Sequence, residues 1–374
     1  MAGLTTRARW GLTALAIVWA AVVIPVGTHK GGDFTPELAQ SDRLLQGLPL
    51  YDRHPSLGAW WPPFATLLLV PFALVARATS LTVAKALWAA FCAACVIWSV
   101  ARAGRAWGWA PTLIASAVLV AAIQNSFQHL QITTVLLPLI VAAALALQQG
   151  QDDRAGAALG AATAVKAFPA LLLAYLAYRR RWRALLVGTA VAGVLTVSAM
   201  LPYGPVGAVA AVRDWLVSSG QGTGVAGLHM QKLARLGYAL GGPLPVIVAA
   251  ELAILGVVAY ALRAPGSPHD ALTDVGAVTL VAVLISPIGW YYYFGLLLPA
   301  WIAVLRGPVV ADPRLWRGAL ALTGVLISGV LGLRLYPSSW GFIAGNNDTL
   351  GGLLLLALLL VQRAAAPRSA APPC

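Results

Sequence analysis

Apolar residues collect along the chain in long runs separated by short breaks of Arg, Pro and Gly, and the runs predict helices near 10–27, 62–77, 80–101, 109–123, 132–148, 155–178, 184–201, 243–262, 272–286, 290–305, 316–333 and 349–362. Most runs approach the roughly 20 residues of a membrane crossing, and the shorter ones are expected to tilt, merge or re-enter. The pattern predicts an all-α polytopic membrane protein with about ten to twelve transmembrane helices.

Composition strengthens that reading. Of 374 residues, 60% are hydrophobic and 10% charged, against about a quarter charged in soluble domains. The net charge of +13 comes from basic residues that sit mostly in the breaks between apolar runs. A nucleic-acid binder would cluster them on one polar domain, so the charge is read as topology, with membrane lipids as the surroundings. Arg7 and Arg9 precede an apolar stretch over 10–26 that could be a signal peptide, but no small-x-small cleavage site leads into a soluble domain, and a first retained helix is expected. Cys92 and Cys95 lack the second pair that a zinc site would need.

The cluster Arg179-Arg180-Arg181-Trp182-Arg183 is the strongest topological marker. Together with Arg7 and Arg9 it assigns the N-terminus and this turn to the cytoplasmic side, with six crossings between them. Loops 28–61 and 202–242, and the links near Pro287 and at 334–348, then face outward. Arg77, Arg263, Arg306, Arg314, Arg317 and Arg363 fall in cytoplasmic links, residues 1–362 form one transmembrane domain, and 363–374 form a disordered cytoplasmic tail. Arg102 and Arg105 come out external, against the positive-inside bias.

Four of the twelve acidic residues, Asp33, Glu37, Asp42 and Asp52, crowd into the first outer loop. The segment 32–47 has apolar residues at helical spacing and ends at Gly47, which suits an interfacial amphipathic helix with Asp33 at its start. Asp33 could cap that helix. It could also accept a proton from a hydroxyl nucleophile at the membrane edge, and the two roles are compatible. The second outer loop carries His229, Gln231, Lys232 and Arg235 and opens with an expected interfacial helix over 206–217. No HxH, HExxH or DxD pattern occurs, so neither a metal nor a cofactor is expected.

Lys166 is the only Lys of a long apolar stretch, and a charge there costs a few kcal/mol unless it serves a site, finds a partner or snorkels to an interface. Gln124, Asn125, Gln128, His129 and Gln131 form a polar break that could line a cavity. Trp290-Tyr291-Tyr292-Tyr293-Phe294 follows Ser286-Pro287, as an aromatic belt or a surface on which a sugar ring stacks.

Taken in order, these positions resemble glycosyltransferase family 87 of the C-type membrane glycosyltransferases over nearly the whole chain. The family's Asp-Phe and Gly-x-Pro-Leu-Tyr are matched by Asp33-Phe34 and Gly47-Leu48-Pro49-Leu50-Tyr51, and its aromatic-Pro-Pro helix start by Trp61-Pro62-Pro63 with Pro71-Phe72. Leu130-Gln131-Ile132-Thr133 keeps part of a Gly-Gln-x-Asn motif. The small-residue helix leading into Lys-x-x-Pro is matched by 156–169, with Lys166 and Pro169, before the Arg turn. Met230-Gln231-Lys232-Leu233 echoes an Asn-Gln-Ser-Leu segment, with Arg235 after it. Ser286-Pro287-Ile288-Gly289-Trp290-Tyr291-Tyr292-Tyr293 stands where the family has Ser-Pro-x-Ser-Trp-x-His-His, so Tyr292 and Tyr293 replace two histidines.

The resemblance implies a C-type fold and an outward-facing transferase that moves a sugar, mannose or alternatively arabinose, from a polyprenyl-phosphate donor to a glycolipid or glycan acceptor with inversion. Asp33 would be the general base. Lys166 and Arg235 would neutralise the phosphate, and Gln131, Gln231, His229, Trp290 and Tyr292 would contact substrate. A transporter of lipid-linked intermediates and an inactive binding homologue are the rival readings.

Overall fold

In a computed structural model the described residues are 5–51, 61–222, 232–263, 270–286, 289–310, 312–333 and 341–365. Among them the regular structure is helical throughout. In chain order the helices are α1 (Thr6–His29), α2 (Phe34–Leu45), α3 (Pro63–Ala78), α4 (Leu81–Trp107), α5 (Trp109–His129), α6 (Thr133–Gln148), α7 (Asp152–Val165), α8 (Ala170–Tyr178), α9 (Trp182–Met200) and α10 (Gly204–Gly222). They continue with α11 (Lys232–Ala239), α12 (Leu244–Leu262), α13 (Asp270–Ile285), a 3-10 segment (Tyr291–Leu297), α14 (Leu298–Arg306), α15 (Pro313–Ile327) and α16 (Gly341–Ala365).

Among the described residues six stretches are long and apolar enough to cross a membrane: Thr6–His29, Leu81–Trp107, Trp109–His129, Trp182–Val217, Leu244–Leu262 and Gly345–Ala365. Apolar residues on a helix want either a protein core or lipid. In α6 and α13 they take the first course, with buried residues around almost the whole circumference. In α1 and α12 they take the second, since Leu15, Ile17, Val18, Val246, Leu252 and Val257 are exposed. The chain is a polytopic helical membrane protein.

Local sequence sets most helix ends. Thr5 and Ser80 accept the backbone N–H groups of Ala8 and Val83, Asp312 accepts those of Arg314 and Leu315, and Pro63 opens α3. Gly108, at φ +97°, ends α4 and turns the chain into α5. The α7–α9 contact is backbone-close: a Cβ on Gly156 or Gly160 would lie 2.2 Å from the carbonyl oxygen of Ala184 or Gly188.

The bundle has two chemically different ends. One carries Asp33. The other collects the arginines: Arg181 and Arg183 pair with Asp152 and Asp153, Arg179 Nη1 donates to the Leu262 carbonyl, and Arg363 bonds Asp274. The structure corrects the sequence reading at four places. Arg77 pairs with Asp42 on α2, and Ser41 donates to the Thr66 carbonyl, so both ends of α3 stay at the Asp33 end and Arg77 is not in a link at the other. α4 consequently starts at the Asp33 end, where Trp88 donates to the Leu130 carbonyl, and finishes where Trp107 bonds Gln148. Arg102 and Arg105, on the last turns of α4, thus belong with the other arginines, and the conflict with the positive-inside bias disappears.

The third correction is the expected single helix over 155–178, which is two. α7 ends at Val165 and Lys166 is extended, because Pro169 disfavours helical backbone at Phe168 and cannot donate to the preceding turn. α8 then returns toward the arginines. The N-terminus and the Arg179 turn therefore do share an end, by a different route from the six crossings expected. Fourth, Arg363 is not tail: α16 runs to Ala365 and Arg363 is buried beside Asp274.

Candidate active site

Asp33 stands at the N-cap of α2, yet its side chain makes no capping hydrogen bond. Gln131 Nε2 donates to Asp33 Oδ2 at 2.5 Å across 98 residues of sequence. Three local features force that meeting. Gly31 lies at φ +32°, and any Cβ there would sit 2.6 Å from Leu130 Cδ1 and 2.7 Å from the Gly27 carbonyl oxygen. Leu130 itself holds a left-handed conformation at φ 50°, uncommon outside glycine, and Trp88 Nε1 pins its carbonyl at 3.0 Å. The two turns therefore interlock, and the residue after each, Asp33 a little beyond one and Gln131 just beyond the other, face one another.

His129, on the last turn of α5, brings Nδ1 to 3.8 Å from Asp33 Oδ1, and both side chains are 42% exposed. Its ring centroid lies 6.0 Å from that of Tyr292. Trp290 stacks on Tyr292 at 6.2 Å, Tyr292 meets Tyr293 edge-on at 5.0 Å, and Phe168 packs on Tyr293 at 5.0 Å. Lys166 completes the row from below, with Nζ 4.9 Å from the centre of the Tyr293 ring and 5.9 Å from that of Trp61. Among the described residues it forms no salt bridge with a carboxylate. Asp33 and the buried Glu37 both act electrostatically on Tyr292.

Of the residues singled out by sequence, Asp33, Gln131, Lys166, Trp290 and Tyr292 thus converge on one aromatic-walled group. Arg235 does not join them: it lies on α11 beside Gly345 of α16. His229 and Gln231 lie outside the described residues. Sequence reasoning named His129 only as part of a polar break, and its neighbourhood with Asp33 follows from the interlocked turns. It also passed over a buried group behind the aromatic row, in which Lys232 pairs with Asp348, Thr349 donates to the Lys232 carbonyl and Asn347 donates to the Leu326 carbonyl. The run Asn346-Asn347-Asp348-Thr349 in an otherwise apolar stretch was the available signal, and it had been assigned largely to a link.

Two polar atoms at the site have no partner among the described residues, Gln131 Oε1 and Thr133 Oγ1, although both residues are buried. Burying such atoms without a hydrogen bond costs about 1–3 kcal/mol each, and Gln131 Oε1 belongs to the amide that holds Asp33. A half-exposed carboxylate fixed by an amide, an unpaired ammonium and a wall of rings can together orient a sugar, take a proton and face an anion.

Comparison with known proteins gives this arrangement a lineage. Residues 60–287, more than half of the chain, match the model of Glycosyltransferase family 87. The polyprenol-phosphate-mannose-dependent alpha-(1-2)-phosphatidylinositol pentamannoside mannosyltransferase of Mycolicibacterium smegmatis is 26% identical over 67% of this chain and 62% of its own. A phosphatidylinositol mannoside mannosyltransferase of the same organism is 27% identical over 65% and 58%, and the pentamannoside enzyme of Mycobacterium tuberculosis 28% over 79% and 70%. The chain therefore spans about three-fifths of the length of the first two. Among solved structures, ArnT from Cupriavidus metallidurans is similar at 18% identity in the apo state (TM-score 0.44, 96% of this chain, 78% of ArnT) and bound to undecaprenyl phosphate (0.41, 95% and 78%). On the family match, the chain is a member of glycosyltransferase family 87.

Proposed function

We propose that the protein transfers mannose from a polyprenyl-phosphate donor to a hydroxyl of a glycolipid or glycan acceptor, on the outer face of the cytoplasmic membrane. Asp33 acts as general base on the acceptor hydroxyl. The acceptor oxygen forms its bond to the anomeric carbon from the face opposite the phosphate, the bond from that carbon to the phosphate oxygen breaks with its electron pair, and the configuration inverts. A phosphate leaves as an anion and needs a neighbouring cation rather than a proton. Lys166 is that cation, Trp290 and Tyr292 provide the surface for the sugar ring, and Gln131 Oε1 accepts from a substrate hydroxyl.

The observation that carries this reading is the treatment of Asp33. It occupies a capping position without capping, is held by Gln131 instead, and stays half-exposed with His129 Nδ1 3.8 Å from its second oxygen. A purely structural aspartate would spend that oxygen on the helix. The outward orientation draws support from the arginines gathered at the opposite end, and the donor class from the printed activities of the relatives. The test is direct: purified protein in detergent, polyprenyl-phosphate mannose and a panel of mannolipids, scored for product and for its anomeric configuration. No transfer with any acceptor, or retained configuration in the product, rejects the scheme.

A further inference from the structure

General-base catalysis leaves a proton on Asp33 that must depart before the next turnover. We propose that His129 is its exit. The inference rests on the transferase reading above and deepens it. Oδ2 of Asp33 is occupied by the Gln131 amide, whose nitrogen carries hydrogens and has no lone pair to offer. The proton taken from the acceptor therefore resides on Oδ1, and the group facing Oδ1 is His129 Nδ1 at 3.8 Å. A small rotation of either side chain brings that gap to hydrogen-bond length.

The other groups around this pair cannot serve. Tyr292, on the 3-10 segment, and Glu37, on α2, are both buried, and Lys166 and Lys30 are already cations with no acceptor. His129 is half-exposed, so it reaches both the carboxyl group and bulk water. The sequence is balanced: the acceptor proton passes to Asp33 Oδ1, from there to His129 Nδ1, and then from the imidazolium to water, which restores carboxylate and neutral imidazole. Tyr292 supports the ring from behind, with centroids 6.0 Å apart.

His129 acts through Asp33 and so is a positioning and relay residue, and its test needs a readout that packing alone would not move. His129→Ala should lower kcat by about tenfold to a hundredfold, within the usual range for assisted proton transfer, while leaving KM for the donor within about twofold. Added imidazole should restore kcat in proportion to its free-base concentration and leave wild type and Asp33→Asn unaffected. His129→Gln, closer in shape but unable to carry the proton, should be as slow as His129→Ala. Full kcat in either variant, or a slow His129→Ala that imidazole does not revive, overturns the relay while wild-type transfer keeps the transferase reading. Absence of transfer by wild type overturns both.

Discussion

The two ends of the bundle treat charge in opposite ways. At the arginine end the described carboxylates Asp152, Asp153, Asp270 and Asp274 each have an arginine partner. Asp274 accepts from Arg363 Nε at 2.8 Å and from the Tyr175 hydroxyl at 2.9 Å, Asp270 lies 3.7 Å from Arg363, and Asp152 and Asp153 are taken by Arg181 and Arg183. At the Asp33 end, Asp42–Arg77 and Lys232–Asp348 are closed in the same way. Between them, Asp33 has the Gln131 amide on one oxygen and His129 Nδ1 3.8 Å from the other, and Lys166 lies against the Tyr293 and Trp61 rings. Breaking a closed, buried pair is strongly destabilising, because removing one partner leaves the other charge uncompensated. A half-exposed carboxylate held by an amide and an ammonium lying against rings stand apart from these pairs. The difference separates scaffold from site more sharply than burial does.

The largest effect expected from breaking this contrast is on turnover. Asp33→Asn keeps the side-chain size and the Gln131 contact but removes the proton acceptor, and transfer should fall by about 10² to 10⁴ with unchanged expression and donor binding. Near-normal turnover would return Asp33 to a structural role. Next comes the closed network. Arg363→Met removes the guanidinium from the buried Asp274, a loss of about 3–5 kcal/mol for a broken buried pair, seen as a clearly lower melting temperature in detergent and lower yield.

Lys166→Met should do the reverse. It removes a charge with no carboxylate partner among the described residues, so stability should hold or rise while donor affinity falls, and a thermal melt and a donor titration on the same preparation decide it. Reduced stability with unchanged affinity would mean that Lys166 belongs to a closed pair after all. The smallest effect is expected at Asp153→Asn. The Arg183 hydrogen bond holds the Asp153 carboxyl below the ordinary carboxylate range. Any stabilisation is therefore present above the carboxylate's ordinary pKa and lost as pH falls through the lowered one. Both side chains are in water, where such pairs contribute little. Melting curves of wild type and variant between pH 7 and pH 3 should nearly superpose.

Much of this was legible in the chain itself. Hydropathy located the membrane helices to within a turn or two at most ends, because α1, α6, α12 and α16 owe their positions to apolar side chains leaving water, a property each run carries alone. Asp33 at the head of an amphipathic helix and Lys166 in an apolar stretch were visible as anomalies for the same reason. Pro169 announced the helix break beside Lys166, and it was outweighed there by the continuity of the apolar run. What only the tertiary structure decided is who meets whom. Asp33 and Gln131 are 98 residues apart and are joined by a glycine that admits no Cβ and a leucine held left-handed. The return of α3 to the Asp33 end depends on Asp42 finding Arg77. Hydrophobicity reports that a segment leaves water but is the same read from either end, so it carries no direction; polar contacts between distant turns supply it, and they exist only once the helices have packed.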